Sequence, residues 1–244
     1  MLDGMYAAAA GMNAEQQQLG AISNDLANAS TTGYKSERVG FRDLLYSQVG
    51  QAGTSTEAGA GAAAEVLGRD HAQGAIHETG NPLDLAIQGE GFLSVKRANG
   101  SLALTRDGSL QLDARGRLTT AGGELVQPPI TVPRGTPSSA VSIASDGTVT
   151  AAGRRLGRLQ LLTVAAPDRL RAEGSNLFVA TADSGAPRAV GAATTVRQGA
   201  LETSNVDVAH EMVQMIDTQR SYQLQSSAIQ TENQMSSIAN ELRS

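Results

Sequence analysis

Apolar residues recur every seven positions at the start of the chain. Met5, Met12, Leu19 and Leu26 form one seam; Ala8, Ile22 and Ala29 form the second, which Glu15 interrupts. Apolar side chains three and four apart line one face of a helix, so the pattern predicts an amphipathic helix over 3–28, about 39 Å long at 1.5 Å per residue. An ordinary surface helix has the same periodicity, and the pattern alone leaves that alternative open. The other end of the chain behaves similarly. From a start after Ser204 and Asn205, two N-cap candidates, one stripe runs through Val208, Met212, Met215, Tyr222 and Ile229, and a second through Leu224, Ala228, Met235, Ile238 and Leu242. Two stripes on one helix of roughly 55 Å require two packing surfaces, more than a single antiparallel partner fills. Gln219, Ser226 and Asn233 dilute the first stripe, and polar seam positions of this kind set register at a cost in stability.

Between the helices the period changes. Gly91-Phe92-Leu93-Ser94-Val95 and Leu159-Gln160-Leu161-Leu162-Thr163-Val164 read as strands, and the dipeptides Asn99-Gly100, Asp107-Gly108, Arg115-Gly116, Gly122-Gly123 and Asp146-Gly147 read as turns. Asn-Gly and Asp-Gly favour the positive φ of a hairpin tip, so closely spaced turns indicate an antiparallel β domain. Pro128, Pro129, Pro133 and Pro137 mark an irregular crossing. Residues 47–70, with Gly50, Gly53, Gly59, Gly61 and Gly68 among Ala, Ser and Thr, read as a linker that is flexible alone and ordered only against neighbours. The expected class is α+β: long terminal helices in a coiled-coil-like domain (1–34 with 205–244), an extended connector (35–74) and a central antiparallel all-β domain (75–204).

Charge sharpens this division. The net −5 is spread as −3 over residues 1–69, +2 over 70–200 and −4 over 201–244, and no basic residue precedes Lys35. That argues against a cationic membrane-surface helix or a nucleic-acid arm at the start. Aromatics are 3% of the chain and tryptophan is absent, so platforms for stacking bases are not expected. No stretch approaches the ~20 apolar residues of a membrane span, and Ala7–Met12 is too short for a signal-peptide core. Export without a cleaved signal peptide is the corresponding expectation.

Candidate chemistry is sparse. There is no cysteine; His71, His77 and His210 complete no metal-binding spacing. Gly89-Glu90-Gly91 lacks the third glycine of a dinucleotide fingerprint and leads into a strand. The Asp-Gly pairs lack the acidic spacing of a calcium loop, and no Gly-x-Ser-x-Gly elbow occurs. No catalytic, cofactor or metal site is expected, and the reading is of a protein that is not an enzyme.

Two groups of residues carry a resemblance. Ile22-Ser23-Asn24-Asp25-Leu26-Ala27-Asn28 with Gly33-Tyr34-Lys35, then Phe41-Arg42-Asp43-Leu44-Leu45-Tyr46, form the first. Asn81-Pro82-Leu83-Asp84-Leu85-Ala86-Ile87-Gln88-Gly89-Glu90-Gly91-Phe92, Thr105-Arg106-Asp107-Gly108-Ser109 and the stretch from Leu201 to Tyr222 form the second. In this order they resemble the signature of bacterial flagellar basal-body rod and hook proteins, most like the distal rod branch, with Glu202-Thr203-Ser204-Asn205-Val206 closest to it. The short Ala/Gly-rich 47–70 segment departs from that branch and keeps a proximal rod subunit with a β domain, or a hook-type subunit, as the alternative. A β-domain binding module that merely shares the export ends is a more distant one.

The resemblance implies a structural subunit exported by the flagellar type III apparatus and polymerised in the periplasm into a hollow helical rod. Its partners would be further copies of itself, other rod and hook subunits, the export gate and the surrounding basal-body rings, with no nucleic acid and no membrane insertion. The implied helical-interface residues are Met5, Met12, Leu19, Ile22, Leu26, Met212, Met215, Tyr222, Ile229, Met235 and Ile238. Phe41 and Leu45 match the Phe-x-x-x-apolar pattern associated with the export gate; simple core anchoring after the first helix explains the same pair.

Overall fold

The computed structural model describes residues 2–43, 47–49, 56–58, 61–191 and 193–241. Two compact units emerge. A helical unit comprises Met1–Ala27, Glu37–Leu67 and Asp207–Ser244, and a β unit comprises Asn28–Ser36 and Gly68–Val206. Residues 28–36 thus fold with the strands, and 37–67 with the helices.

In the helical unit, α1 (Leu2–Ala27) packs against α2 (Val208–Glu241). At 34 residues, α2 is about 51 Å long. Its N-cap is Asp207, whose Oδ1 accepts from the backbone N–H groups of Ala209 (3.0 Å) and His210 (3.3 Å). The expected caps, Ser204 and Asn205, are engaged elsewhere. After α1 come β1 (Glu37–Asp43), a hairpin of β2 (Ser47–Val49) and β3 (Thr56–Ala58), and β4 (Ala62–Arg69), which pairs with β1. The linker expected over 47–70 therefore contains three strands. Local composition favours coil there, but β1 offers β4 a ladder, and pairing satisfies backbone groups that Ala and Gly side chains cannot.

The β unit has a mainly antiparallel sheet in the order β16 (Arg171–Ala172), β17 (Leu177–Val179), β8 (Leu102–Thr105), β7 (Phe92–Lys96), β11 (Leu125–Val126), β10 (Leu118–Thr120), β9 (Leu110–Leu112). Strand β15 (Leu161–Thr163) also pairs with β7, and with β18 (Arg188–Ala189). A meander of β12 (Val141–Ile143), β13 (Thr148–Ala151) and β14 (Arg154–Arg158) forms a second sheet. Two further pairs join distant parts of the chain: β6 (Leu85–Gln88) with β19 (Thr195–Gln198), and β5 (Ile76–Glu78) with β20 (Ala200–Glu202).

Alternation along the strands assigns side chains to two cores. Leu93, Val95, Ala103, Leu161 and Leu177 join Leu118, Val126, Ile130 and Val149 in the larger one. Their neighbours Phe92, Leu104, Leu162 and Phe178 join Val164 and Leu170 in the smaller. The central strands are covered on both faces, which is why 91–95 and 159–164 read as nearly continuous apolar runs. Four of the five predicted turns join strands that pair with each other. Asp107-Gly108 does not form a tip: Gly108 brings its backbone onto Leu85, whose carbonyl oxygen lies 1.6 Å from where a Cβ would sit.

Candidate assembly surface and buried junction

The helix pair is antiparallel. Gly11 lies against Gln225, whose Oε1 is 2.7 Å from a Cβ built on the glycine, and Asp25 lies close enough to Glu211 to raise its pKa. The two pairs are fourteen residues apart on both helices, which fixes one register. Residues at heptad spacing through these contacts are Gly11, Gln18 and Asp25 on α1 and Glu211, Thr218, Gln225 and Glu232 on α2. The inner seam of a single chain thus mixes these polar side chains with the buried Ala14 and Ile22. The Oε1 atoms of Gln18 and Gln225 are buried without hydrogen-bond partners. Burial raises the pKa of Glu15, and burial followed by the charge of Asp25 raises that of Glu211.

The expected interface residues divide around this seam. Ile22 is buried, at 2% exposure; Met5, Met12, Leu19, Leu26, Met215 and Ile229 flank the seam and are half-buried. Met212, Tyr222, Met235 and Ile238 are exposed, as are Val213, Ile216 and Leu224, with Leu224 at 72%. Periodicity separated two stripes on α2, but could not say which faces inward. The seam is set instead by the small residues of α1, Gly11 and Ala14 (2% exposed), which let the helices approach closely. Phe41 on β1 is 52% exposed, so it is not a core anchor within the chain, and Leu45 lies outside the described residues.

The β unit holds a second arrangement, which spacing did not predict. Glu202 is buried on β20, and its carboxylate accepts from Lys35 Nζ (2.5 Å) and Gly74 N–H (3.0 Å) through Oε1 and from Arg106 (2.9 Å) through Oε2. Lys35 is fully buried and also donates to the Ala72 carbonyl (2.7 Å). Burial lowers the Lys35 pKa, while Glu202 opposes that effect. Arg106 donates to the Gly89 carbonyl (2.7 Å) and stacks its guanidinium over Phe92. Removing Glu202 would leave two cations uncompensated in a low dielectric.

Backbone around the cluster is tied as closely. Gly33 N–H donates to the Glu202 carbonyl (2.9 Å), and Ser36 N–H to Asn205 Oδ1 (2.9 Å). Asn205 in turn donates to the Asp70 carbonyl (2.9 Å), and Asp70 N–H donates to the Ser36 carbonyl (2.9 Å). This is why Asn205 does not cap α2. Gly33 has φ +65°, and a Cβ there would stand 2.6 Å from Asp107 N, so both conformation and space require glycine. The remaining motif residues serve local structure: Asp84 accepts from Thr79 (2.6 Å) and Asn81 (2.8 Å) and anchors the turn before β6.

His71 lies beside this cluster, edge-on to Phe92 (5.2 Å) and Phe178 (5.0 Å). Its ring nitrogens find no partner, and burial, reinforced by the charges of Lys35 and Arg106, lowers its pKa to about 4. The residue is half-buried, but both nitrogens are shielded from solvent, and the imidazole is neutral. His77 and His210 are exposed, and no His/Cys/Asp/Glu group suited to a metal ion occurs among the described residues.

Comparison with known proteins supplies the context. Three family models match: "Flagella basal body rod protein" over residues 5–35, "Flagellar hook protein FlgE/F/G D1 domain" over 86–151 and "Flagellar basal body rod FlgEFG protein C-terminal" over 197–242. The chain is 36% identical to the flagellar basal-body rod protein FlgG of Buchnera aphidicola over 255 aligned residues, covering 96% of this chain and 97% of the relative. It is 36% identical to that of Borreliella burgdorferi, covering 100% and 99%, and 37% identical to that of Agrobacterium fabrum, covering 95% of each.

Proposed function

Because the chain belongs to the flagellar basal-body rod protein family, we propose that this rod subunit polymerises, with copies of itself and with other rod and hook subunits, into the hollow helical shaft of the distal rod. The observation that carries the polymerisation step is the apolar surface that the helix pair leaves exposed beside a partly polar seam. Gln18, Thr218 and Gln225 lie in that seam, while Met212, Val213, Ile216, Leu224, Met235 and Ile238 remain exposed. Burying such side chains against neighbouring copies is worth roughly 1.5–3 kcal/mol each when complete. Heterologous contacts that do not close into a ring propagate as a filament.

On this reading α1 and α2 form the coiled-coil-like polymerisation domain along the inner wall, and the β unit forms the outside, facing the basal-body rings. The subunit reaches the periplasm through the type III export gate, with Phe41 and Leu45 as the recognition pair. Its role is mechanical, not enzymatic. The test is gene deletion followed by electron microscopy of isolated basal bodies. Rods that stop short of the hook, restored by the wild-type gene but not by Met212→Asp, are expected; complete rods in the deletion strain would overturn the proposal.

A further inference from the structure

Sulfur in this chain is confined to the helical unit. There is no cysteine, and the six methionines are Met1, Met5, Met12, Met212, Met215 and Met235. None falls in the β unit, whose two cores are built from Leu, Val, Ile, Ala and Phe. Tryptophan is absent as well, so methionine is the side chain that a peroxide attacks first. Met1 lies outside the described residues. Of the other five, Met5, Met12 and Met215 are half-buried, whereas Met212 is 51% and Met235 59% exposed. We propose that Met212 and Met235 are oxidation sites of the unassembled subunit, and that their sulfoxides bar it from the polymer.

The step needs hydrogen peroxide and nothing from the protein but access. A lone pair on the thioether sulfur attacks one peroxide oxygen, and the S–O bond forms as the O–O bond breaks. The proton on the transferred oxygen passes to the departing hydroxide, which leaves as water; sulfur has lost two electrons and the peroxide has gained them. The sulfoxide keeps the length of methionine but carries a strong hydrogen-bond acceptor. Met212 stands among the exposed Val208, Val213 and Ile216, and Met235 beside Ile238. An acceptor buried in such surroundings without a donor weakens a contact by about tenfold. Met212 belongs to the first stripe of α2 and Met235 to the second, about 34 Å along the helix and about 140° around it. Each sulfoxide therefore spoils a separate contact. Polymerisation buries both sulfurs, so oxidation acts before assembly and not after it. Reversal needs a sulfoxide reductase: a dithiol becomes a disulfide and the sulfoxide oxygen leaves as water.

The inference rests on the rod reading, and its test separates the two. The purified full chain is treated with hydrogen peroxide and followed by peptide mass spectrometry, circular dichroism and sedimentation. Met212 and Met235 should oxidise several-fold faster than Met215, with helix content unchanged. The concentration needed to polymerise should then rise by about tenfold for each oxidised site. Sulfoxide reductase with dithiothreitol should return it to its starting value. In preformed polymer the same treatment should spare both sulfurs. Met212→Leu with Met235→Leu removes the two thioethers, and this double variant should assemble equally before and after peroxide. Uniform oxidation of the sulfurs, or oxidation that leaves polymerisation unchanged, would overturn the proposal, as would a double variant that loses as much assembly as wild type. An untreated chain that does not polymerise would overturn the rod reading and the assembly step with it, while the oxidation rates would still decide the two sites.

Discussion

Acid should weaken the β unit through one residue, His71. Its ring nitrogens are buried beside Phe92 and Phe178 and near the cations Lys35, Arg106 and Arg69, with only Asp70 acting in the opposite sense. Its pKa is therefore about 4, against the 6.5 of an ordinary histidine. As pH falls below 6.5 the unfolded chain takes up a proton that the folded one refuses. The stabilising contribution is complete above pH 6.5, declines between 6.5 and about 4, and is level below that. At 1.36 kcal/mol per pKa unit the whole loss is about 3 kcal/mol, a large fraction of the 5–15 kcal/mol typical of a folded domain. His71→Phe isolates the effect from the carboxylates that titrate over the same range. Phenylalanine preserves both edge contacts and discards two nitrogens that have no partner, so the variant should be at least as stable at pH 7.5. Urea unfolding from pH 7.5 to 4 should show wild type losing about 3 kcal/mol more than the variant. Parallel pH profiles, or a variant weakened by more than about 1 kcal/mol at pH 7.5, would refute the account of a neutral imidazole with buried, unpaired nitrogens.

Glu202→Gln should cost about 3–5 kcal/mol by leaving Lys35 and Arg106 buried without their counter-ion. The deficit should narrow between pH 7 and 9.5 as Lys35, its pKa depressed further, sheds its proton in the folded state, and urea melts at the two pH values would show this. Met212→Asp should change the stability of the isolated subunit by less than about 0.5 kcal/mol, because the position is exposed, yet abolish polymerisation; Ile22→Asp should disrupt the helix pair itself. Circular dichroism with sedimentation distinguishes the two, and polymerisation of Met212→Asp at wild-type concentration would show that the outer stripe is not an interface. Phe41→Ala should leave the folded subunit intact but hold it in the cytoplasm, as fractionation would reveal; undiminished secretion would remove Phe41 from the export signal.

Periodicity and turn chemistry made much of the architecture legible. The strand around Leu93 and Val95 and the connections at Asn99-Gly100, Arg115-Gly116 and Asp146-Gly147 are local signals, and the folded chain keeps them. The three strands in 47–70 were hidden because Ala- and Gly-rich segments have little preference of their own, and β4 acquires its structure from β1. The partly polar seam of the helix pair was hidden for a related reason. Met5, Met12, Leu19 and Leu26 satisfy a heptad, but the small Gly11 and Ala14 decide which face approaches α2. Lys35 and Glu202 are 167 residues apart, and a lysine just after a turn reads as surface until the strand carrying its carboxylate is placed. Their membership in the Gly33-Tyr34-Lys35 and Glu202–Asn205 motifs was the only sign that they mattered, and it gave no role.

The β5–β20 pair has a practical implication. Ile76–Glu78 and Ala200–Glu202 are partnered strands, so the two ends of everything between them emerge side by side, about 5 Å apart. The intervening residues are an insertion closed by its own two-stranded clasp, and a guest module whose termini are similarly close could be spliced between Glu78 and Ala200. Such a chimera would keep Gly74, Lys35 and Glu202 and lose Arg106, so the guest would need to supply a hydrogen-bond donor for Glu202 Oε2.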